Sequence, residues 1–276
     1  MYKNYLKIAF RNLLRNKLFS GLNILGLVIG MVACLLILQY VHFEKSYDSF
    51  HKNAKQIYRV ANASAKDASR QGTSTFLGTG QTLKRELDEV SQVTTIIHGD
   101  NGLISYDNKR FNETDFYFVD ATFFEVFPSF KLMLGNPSTA LTKPYTMVLT
   151  KRMARKYFGS KNPIGEVLQY NGKAKYQITG VIDNPPANSH LKFNFLASNH
   201  DIRKAITEGK RVWSWPAFYT YVVCKSPNSP QKINAKLDGF LDKHLPQKRR
   251  GSLKLAMQPT DDVIKQLPVY QEFAIR

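Results

Sequence analysis

Between Leu18 and Phe43 the chain carries no Asp, Glu, Lys or Arg. The centre of this stretch runs Leu22-Asn23-Ile24-Leu25-Gly26-Leu27-Val28-Ile29-Gly30-Met31-Val32-Ala33-Cys34-Leu35-Leu36-Ile37-Leu38. About 20 residues at about 1.5 Å rise cross a hydrocarbon layer of about 30 Å, so a run of this length and apolarity predicts a transmembrane helix over 18–43. A buried helix of a soluble core is the competing reading. This run is apolar on every face and longer than most helices of soluble proteins, which favours the membrane.

The flanks set an orientation. Lys3, Lys7, Arg11 and Arg15 recur every four residues, and Lys17 follows with no acid among them. This predicts a basic amphipathic helix over 1–17, suited to an anionic cytoplasmic interface. After the run come the mixed charges Glu44, Lys45, Asp48 and Lys52. Positive charge before the span and balance after it predict a cytoplasmic N-terminus, with residues 44–276 outside. A cleaved signal peptide fits less well, since the run is too long for its apolar region and no small-x-small site follows. Met31-Val32-Ala33-Cys34 has the look of a lipoprotein cleavage box, but uncharged residues continue to Val41.

The net charge is +18, most of it on residues 44–276. A basic domain points to an anionic partner: lipid headgroups, an acidic protein face or nucleic acid. An extracytoplasmic location disfavours nucleic acid. The mean hydropathy of -0.32 places an ordinary polar globular part beside the single apolar run. Of the two cysteines, Cys34 lies in that run and Cys224 in a strand-like one, so no disulfide framework is expected.

The globular part reads as mixed α+β. A short helix capped by Asp48 or Ser49 is expected through about Gln56, then a strand at 57–60, a loop over 62–75 and a helix from Thr79 to Val90. Strands at 93–98 and 103–106 flank the turn signal Gly99-Asp100-Asn101-Gly102. Residues 116–160 are dense in aromatics. Asp120 is expected to cap a short helix there, ended by Pro128. Thr150 is expected to cap a helix over 151–158 that Gly159 closes. Val167–Tyr170, Asn171-Gly172 and Tyr176–Ile182 form a strong hairpin signal, because Asn-Gly suits a type I′ turn. Strands at 191–196 and 218–223, a basic helix at 201–211, an amphipathic helix at 232–245 and a last strand at 253–257 complete the pattern. No βα repeat runs through it.

No constellation in the chain supports catalysis. A phosphate loop of the form G-x-x-x-x-G-K-[ST] is absent, and Gly78-Thr79-Gly80 reads as a helix start after a flexible loop. The six histidines include no H-x-x-x-H pair and no nearby Cys. His98 near Asp100 and His200 beside Asp201 read as solvated loop pairs. Ser229-Pro230-Gln231-Lys232 matches S-x-x-K only formally, since it sits in a Pro/Asn/Ser-rich stretch without the companion motifs. The aromatics of 116–130 are spaced for core packing rather than as a stacking platform. The clusters Lys151-Arg152-Arg155-Lys156, Arg203-Lys204-Lys210-Arg211 and Lys243-Lys248-Arg249-Arg250-Lys254 read first as solvated basic faces. No catalytic, cofactor-binding or metal-ligating residue is assigned.

Several segments together carry a resemblance. They are Tyr5-Leu6-Lys7-Ile8-Ala9-Phe10-Arg11-Asn12-Leu13-Leu14-Arg15-Asn16-Lys17 with the apolar run behind it, Tyr47-Asp48-Ser49-Phe50-His51, and Ile57-Tyr58-Arg59-Val60. Further on come Val119-Asp120-Ala121-Thr122-Phe123-Phe124-Glu125-Val126-Phe127, Val148-Leu149-Thr150, Ala154-Arg155-Lys156-Tyr157-Phe158-Gly159, Asn162-Pro163-Ile164-Gly165 and Thr179-Gly180-Val181-Ile182. In order and spacing the chain resembles the N-terminal part of an ABC transporter permease of the MacB/FtsX-like type, with its MacB-like periplasmic core domain over 44–276. The resemblance implies a single N-terminal transmembrane helix and a two-lobed α+β domain, with a porter-like lobe and a β-rich inserted lobe. It implies an inner-membrane location with the domain in the periplasm, and export or mechanotransmission driven by a separate cytoplasmic ABC ATPase. It also implies a permease dimer, a periplasmic adaptor or outer-membrane component as further partners, no enzymatic activity and no cofactor.

The family also has further transmembrane helices after the periplasmic domain. No second apolar run occurs before Arg276. Residues 255–259 begin like the family's return strand, and a truncated product or fragment is therefore expected. The rival reading is a single-pass, membrane-anchored sensor or adaptor whose basic outer face binds an anionic partner.

Overall fold

The structure is a computed structural model that describes residues 2–64, 71–237 and 239–260. It divides into two units, Met1–Ser46 and Tyr47–Arg276. The first unit is helical: α1 (Tyr2–Arg15) and α2 (Lys17–Lys45). All 29 residues of α2 lack burial inside the protein, and it is the one helix among the described residues long and apolar enough to cross a membrane. At about 1.5 Å per residue it exceeds the hydrocarbon thickness with length to spare.

The second unit opens with turns through Phe50 and a single 3-10 turn, Ala54–Gln56. The expected capped helix is absent there, because Asp48 takes a left-handed backbone (φ 55) and sends its side chain elsewhere. Next come β1 (Ile57–Ser64), β2 (Gln71–Gly72), α3 (Leu77–Glu86) and β3 (Val90–His98). An inserted stretch follows: β4 (Gly102–Tyr106), β5 (Lys109–Glu113), β6 (Phe116–Val119), α4 (Phe123–Val126) and β7 (Leu132–Gly135). It continues with β8 (Thr146–Thr150), α5 (Lys151–Phe158), β9 (Val167–Tyr170), β10 (Ala174–Ile182), β11 (Phe195–Ser198) and α6 (His200–Glu208). The chain then returns through β12 (Tyr219–Cys224), α7 (Ser229–Leu237), α8 (Phe240–His244) and β13 (Leu253–Pro259).

The strands join in one path, β13-β1-β12-β3-β6-β11-β8-β10-β9-β4-β5, with β2 on β1 and β7 on β10. The α+β class expected from sequence holds, and so does the two-lobed plan. β1, β3, β12 and β13 with α3, α7 and α8 form a lobe made from both ends of the domain, and β4 to β11 form the inserted one. The lobes meet where β3 pairs antiparallel with β6. Strand alternation sorts the core of the first lobe onto two faces. Val60, Val93 and Val222 point to a cluster with Leu83, Ile233, Leu237 and Phe240. Ile57, Ile96 and Tyr221 point the other way, into a cluster with Phe123, Phe127, Phe130 and Leu196. The aromatics of 116–130 are therefore core, as their spacing suggested. A third cluster, around Met147, Leu149, Tyr157, Ile178 and Phe195, fills the inserted lobe.

Local signals held where one residue decides a conformation. The Thr150 hydroxyl accepts from the Met153 N–H at 3.4 Å, and Gly159 ends α5 with φ 64. Asn171 and Gly172 both take positive φ between β9 and β10. Other expectations fail for tertiary reasons. The strands on either side of Gly99–Gly102 do not pair with each other: β3 lies between β12 and β6, while β4 pairs with β5 and β9. Residues 99–101 carry the chain from one lobe to the other instead of closing a hairpin. The strand expected at 191–196 begins only at Phe195, and the helix expected at 232–245 is broken at Gly239 (φ 74) into α7 and α8. Two pairings, β10 with β8 and β11 with β6, are parallel, so one strand–helix–strand crossover does occur around α5. Residues 65–70, within the expected loop, and the tail beyond Thr260 lie outside the described residues.

Candidate functional site, a buried polar row

The three strands β12, β1 and β13 set Tyr221, Arg59 and Gln258 directly opposite one another. Cross-strand partners share a face, so these side chains form one row on the aromatic-packed side of the sheet. Arg59 is only 1% exposed. Its guanidinium donates to Gln258 Oε1 at 2.9 Å and is hydrogen-bonded to Tyr221. Burial pushes the Arg59 pKa down, opposed by the neighbouring Tyr221 and Tyr219 hydroxyls. The same burial pushes the Tyr221 hydroxyl well above its ordinary value, partly countered by Arg59.

The row continues into the loops. The Tyr221 hydroxyl meets His190 Nε2 at 2.8 Å, and His190 Nδ1 meets Asp48 Oδ2 at 2.6 Å. A carboxylate only accepts, so Nδ1 carries a proton toward Asp48, and Nε2 and the Tyr221 hydroxyl share the second hydrogen bond. Asp48 is fully buried and held by backbone as well. His190 N–H donates to Asp48 Oδ1 at 3.1 Å, and Asp48 N–H donates to the Asn188 carbonyl at 2.9 Å. Asp48 and Arg59 thus supply opposite charges at the two ends of a hydrogen-bonded chain, the condition under which buried ions persist. His51 sits against Phe50, Phe127 and Phe130 with neither ring nitrogen hydrogen-bonded. Burial, opposed by Asp48 and reinforced by His190, lowers its pKa to about 4.

A second buried carboxylate closes the junction of the lobes. Asp120 Oδ2 accepts from the Thr95 N–H at 2.8 Å, and Oδ1 accepts from Asn199 Nδ2 at 2.7 Å and Arg203 Nη1 at 3.0 Å. It does not cap α4, the role its place in the sequence suggested. The side chain turns instead to β3 and to the start of α6, where its desolvated charge finds three donors.

The other residues singled out from sequence fall into ordinary places. Gly78 and Gly80 lie in the first turns of α3, with Trp213 and Thr220 pressed against them, so close packing accounts for their lack of a side chain. Ser229 to Lys232 open α7 rather than lying in a loop, and Ser229 is buried on Ser226. His98 packs edge-on to Tyr117, and His200 lies 3.8 Å from Asp201 at the surface. The basic clusters are not purely solvated: Lys156 reaches Glu113 at 2.8 Å and Arg249 donates to the Ser214 carbonyl at 3.0 Å. Among the described residues no group of His, Cys, Asp and Glu is arranged to hold a metal ion. The polar row itself escaped the sequence reading. Tyr47-Asp48-Ser49-Phe50-His51 was visible as a motif, but nothing local connects it with His190, Tyr221 or Gln258.

Residues 20–240 match the family described as MacB-like periplasmic core domain. A macrolide export ATP-binding/permease protein MacB from Bdellovibrio bacteriovorus is 27% identical over 194 residues, 64% of this chain. The match takes in 28% of that relative's length, so the chain spans well under half of it. Among solved structures, a domain of a putative permease from Porphyromonas gingivalis superposes with a TM-score of 0.65 at 18% identity, covering 76% of this chain and 91% of that one. The periplasmic region of MacB from Actinobacillus actinomycetemcomitans gives a TM-score of 0.54 at 15% identity, covering 79% of this chain and 97% of that one. The extracellular domain of the noncanonic ABC-type transporter YknZ from Gram-positive bacteria gives 0.52 at 14% identity, covering 72% and 98%. At these identities the superpositions speak for the fold.

Proposed function

The chain belongs to the MacB-like periplasmic core domain family, and from that premise we propose that it is the part of an ABC-type permease that passes movement between a membrane helix and an extracytoplasmic domain. The N-terminus lies in the cytoplasm, α2 crosses the inner membrane, and residues 44–276 lie in the periplasm. A separate ATPase supplies the energy and a second permease copy completes the membrane unit. The chain has no active site of its own. Basic residues before α2 and mixed charge after it support the orientation.

One observation carries the mechanical reading. Asp48 follows the end of α2 by three positions and is buried in the polar row, not left in a flexible linker. A displacement arriving at residue 48 meets the hydrogen bond to His190, then Tyr221 and Arg59, and so reaches three adjacent strands. Gln258, at the far end of the row, lies in the strand by which the chain leaves this lobe. The entering and leaving segments are thereby fixed to one another through the sheet.

The test joins topology to turnover. Reporter fusions at the N-terminus should be active only in the cytoplasm, and fusions after Thr260 only in the periplasm. The purified full chain should release no phosphate from ATP, and should stimulate its genetically adjacent ABC ATPase when the two are reconstituted together. ATP hydrolysis by the chain alone, or a periplasmic N-terminus, would overturn the reading.

A further inference from the structure

The C-terminal ends of the parallel strands β8 and β10 open onto a groove of about 390 Å³. Crevices at the carboxyl ends of parallel strands are recurrent ligand sites, and small-ligand pockets fall at roughly 300–1,000 Å³. Two cations line this groove. Arg152, in the first turn of α5, is held by the buried Asn194: Nη2 donates to Asn194 Oδ1 at 2.6 Å. Lys192 donates to the Pro186 carbonyl at 3.1 Å and to that of Ala187. Both cations thus rest on neutral oxygens. Their neighbours differ: Lys156 and Arg203 meet carboxylates directly. Burial lowers the Lys192 pKa, and only the Asp48 charge opposes it. An anion in the groove would give both cations a direct ionic partner in place of these neutral oxygens.

The remaining lining narrows the class of anion. Asp115 takes a left-handed backbone (φ 59) and shares Asn194 with Arg152, placing one carboxylate in the same groove. It would repel a phosphate dianion more strongly than a singly charged carboxylate, and it can accept from an N–H donor. Pro185 adds an apolar edge, with Phe193 lining the groove beside it but 3% exposed and packed into the core. We propose that the groove binds the free C-terminal end of a short peptide, its carboxylate taken by Arg152 and Lys192, an N–H donated to Asp115 and an apolar side chain laid against Pro185. Charge-assisted contacts from arginine give such sites both strength and direction. Lys192 and Phe193 follow His190 closely in the chain, so an occupant would touch the segment that fastens Asp48. The inference names a ligand class for the domain and stands whether or not an ATPase drives it.

The experiment is equilibrium dialysis of the full chain in detergent against Ala-Leu-Ala, Ala-Phe-Ala and Ala-Val-Ala with free ends, the same peptides amidated at the C-terminus, and inorganic phosphate. At least one free-acid peptide should saturate one site, and its amidated form should bind about tenfold more weakly, the equivalent of one charge-assisted hydrogen bond. R152A and K192A should each cost about tenfold. D115N should weaken the free-acid peptide while leaving thermal unfolding of the chain unchanged, which separates a lost contact from a lost fold. The inference falls if none of the three peptides saturates below about 10 mM, if amidation makes no difference, if neither R152A nor K192A weakens binding, or if phosphate binds more tightly than every peptide. None of these results bears on ATP turnover or topology, so failure here leaves the permease reading standing.

Discussion

Asp48 and His190 stand 142 positions apart in sequence and 2.6 Å apart in the fold. The contact joins the first turn of the globular unit to the loop before β11, and it is buried on both sides. Removing one partner of such a pair strands the other in a low-dielectric setting. The cost therefore exceeds that of a surface ion pair.

Asp48→Ala is expected to destabilise the globular unit by about 3 kcal/mol, read as a lowered midpoint of denaturant unfolding. Part of that loss is backbone strain, since alanine does not favour a φ of 55. Asp48→Asn separates the two effects, because asparagine tolerates the left-handed region and still offers an acceptor. It should cost clearly less than the alanine variant. Equal losses would show that the lost charge, common to both variants, outweighs the acceptor and the backbone strain.

His51 makes stability depend on pH. Its folded pKa of about 4 lies below the ordinary histidine value of 6.5, so between these values the unfolded chain binds the extra proton. Stability then rises with pH across this window and is lost as pH falls through it. From this group alone, going from neutral pH to pH 5 should cost about 2 kcal/mol. Thermal unfolding of the full chain followed at several pH values should show the fall, and His51→Leu should flatten it. An unchanged slope in the variant would assign the pH dependence to other groups.

Asp120→Ala removes the acceptor for Thr95, Asn199 and Arg203 at once. The expected loss is about 3 kcal/mol, with an unpaired guanidinium left half-buried as the main cause. Hydrogen exchange should quicken at the Thr95 amide and along β6 and the start of α6, more than in β1 or β13. Uniform quickening would mean that the lobes unfold as one and that Asp120 is no special junction.

The family resemblance, the long apolar helix and several turns were readable because each rests on local chemistry. Leu18 to Phe43 is apolar all round, Thr150 caps from its own position, and Asn171-Gly172 accepts positive φ without help. The strands β5, β6 and β7 were not legible. Lys109–Glu113 is exposed over most of its length, so no alternation marks it, and Phe116–Val119 is apolar in unbroken sequence, like any buried segment. The partners of Gly99–Gly102 were likewise decided by the lobe crossing and not by the turn itself.

The sequence by itself determined an α+β chain with one long apolar helix near its start, because period, charge and turn chemistry act within a few residues. Only the tertiary structure decided that Asp48 serves as a buried partner of His190 and not as a helix cap, and that Tyr221, Arg59 and Gln258 form one row. Those roles depend on strand register across as many as 199 positions and on the loss of water around the charges. Neither is encoded at the residue that bears the charge.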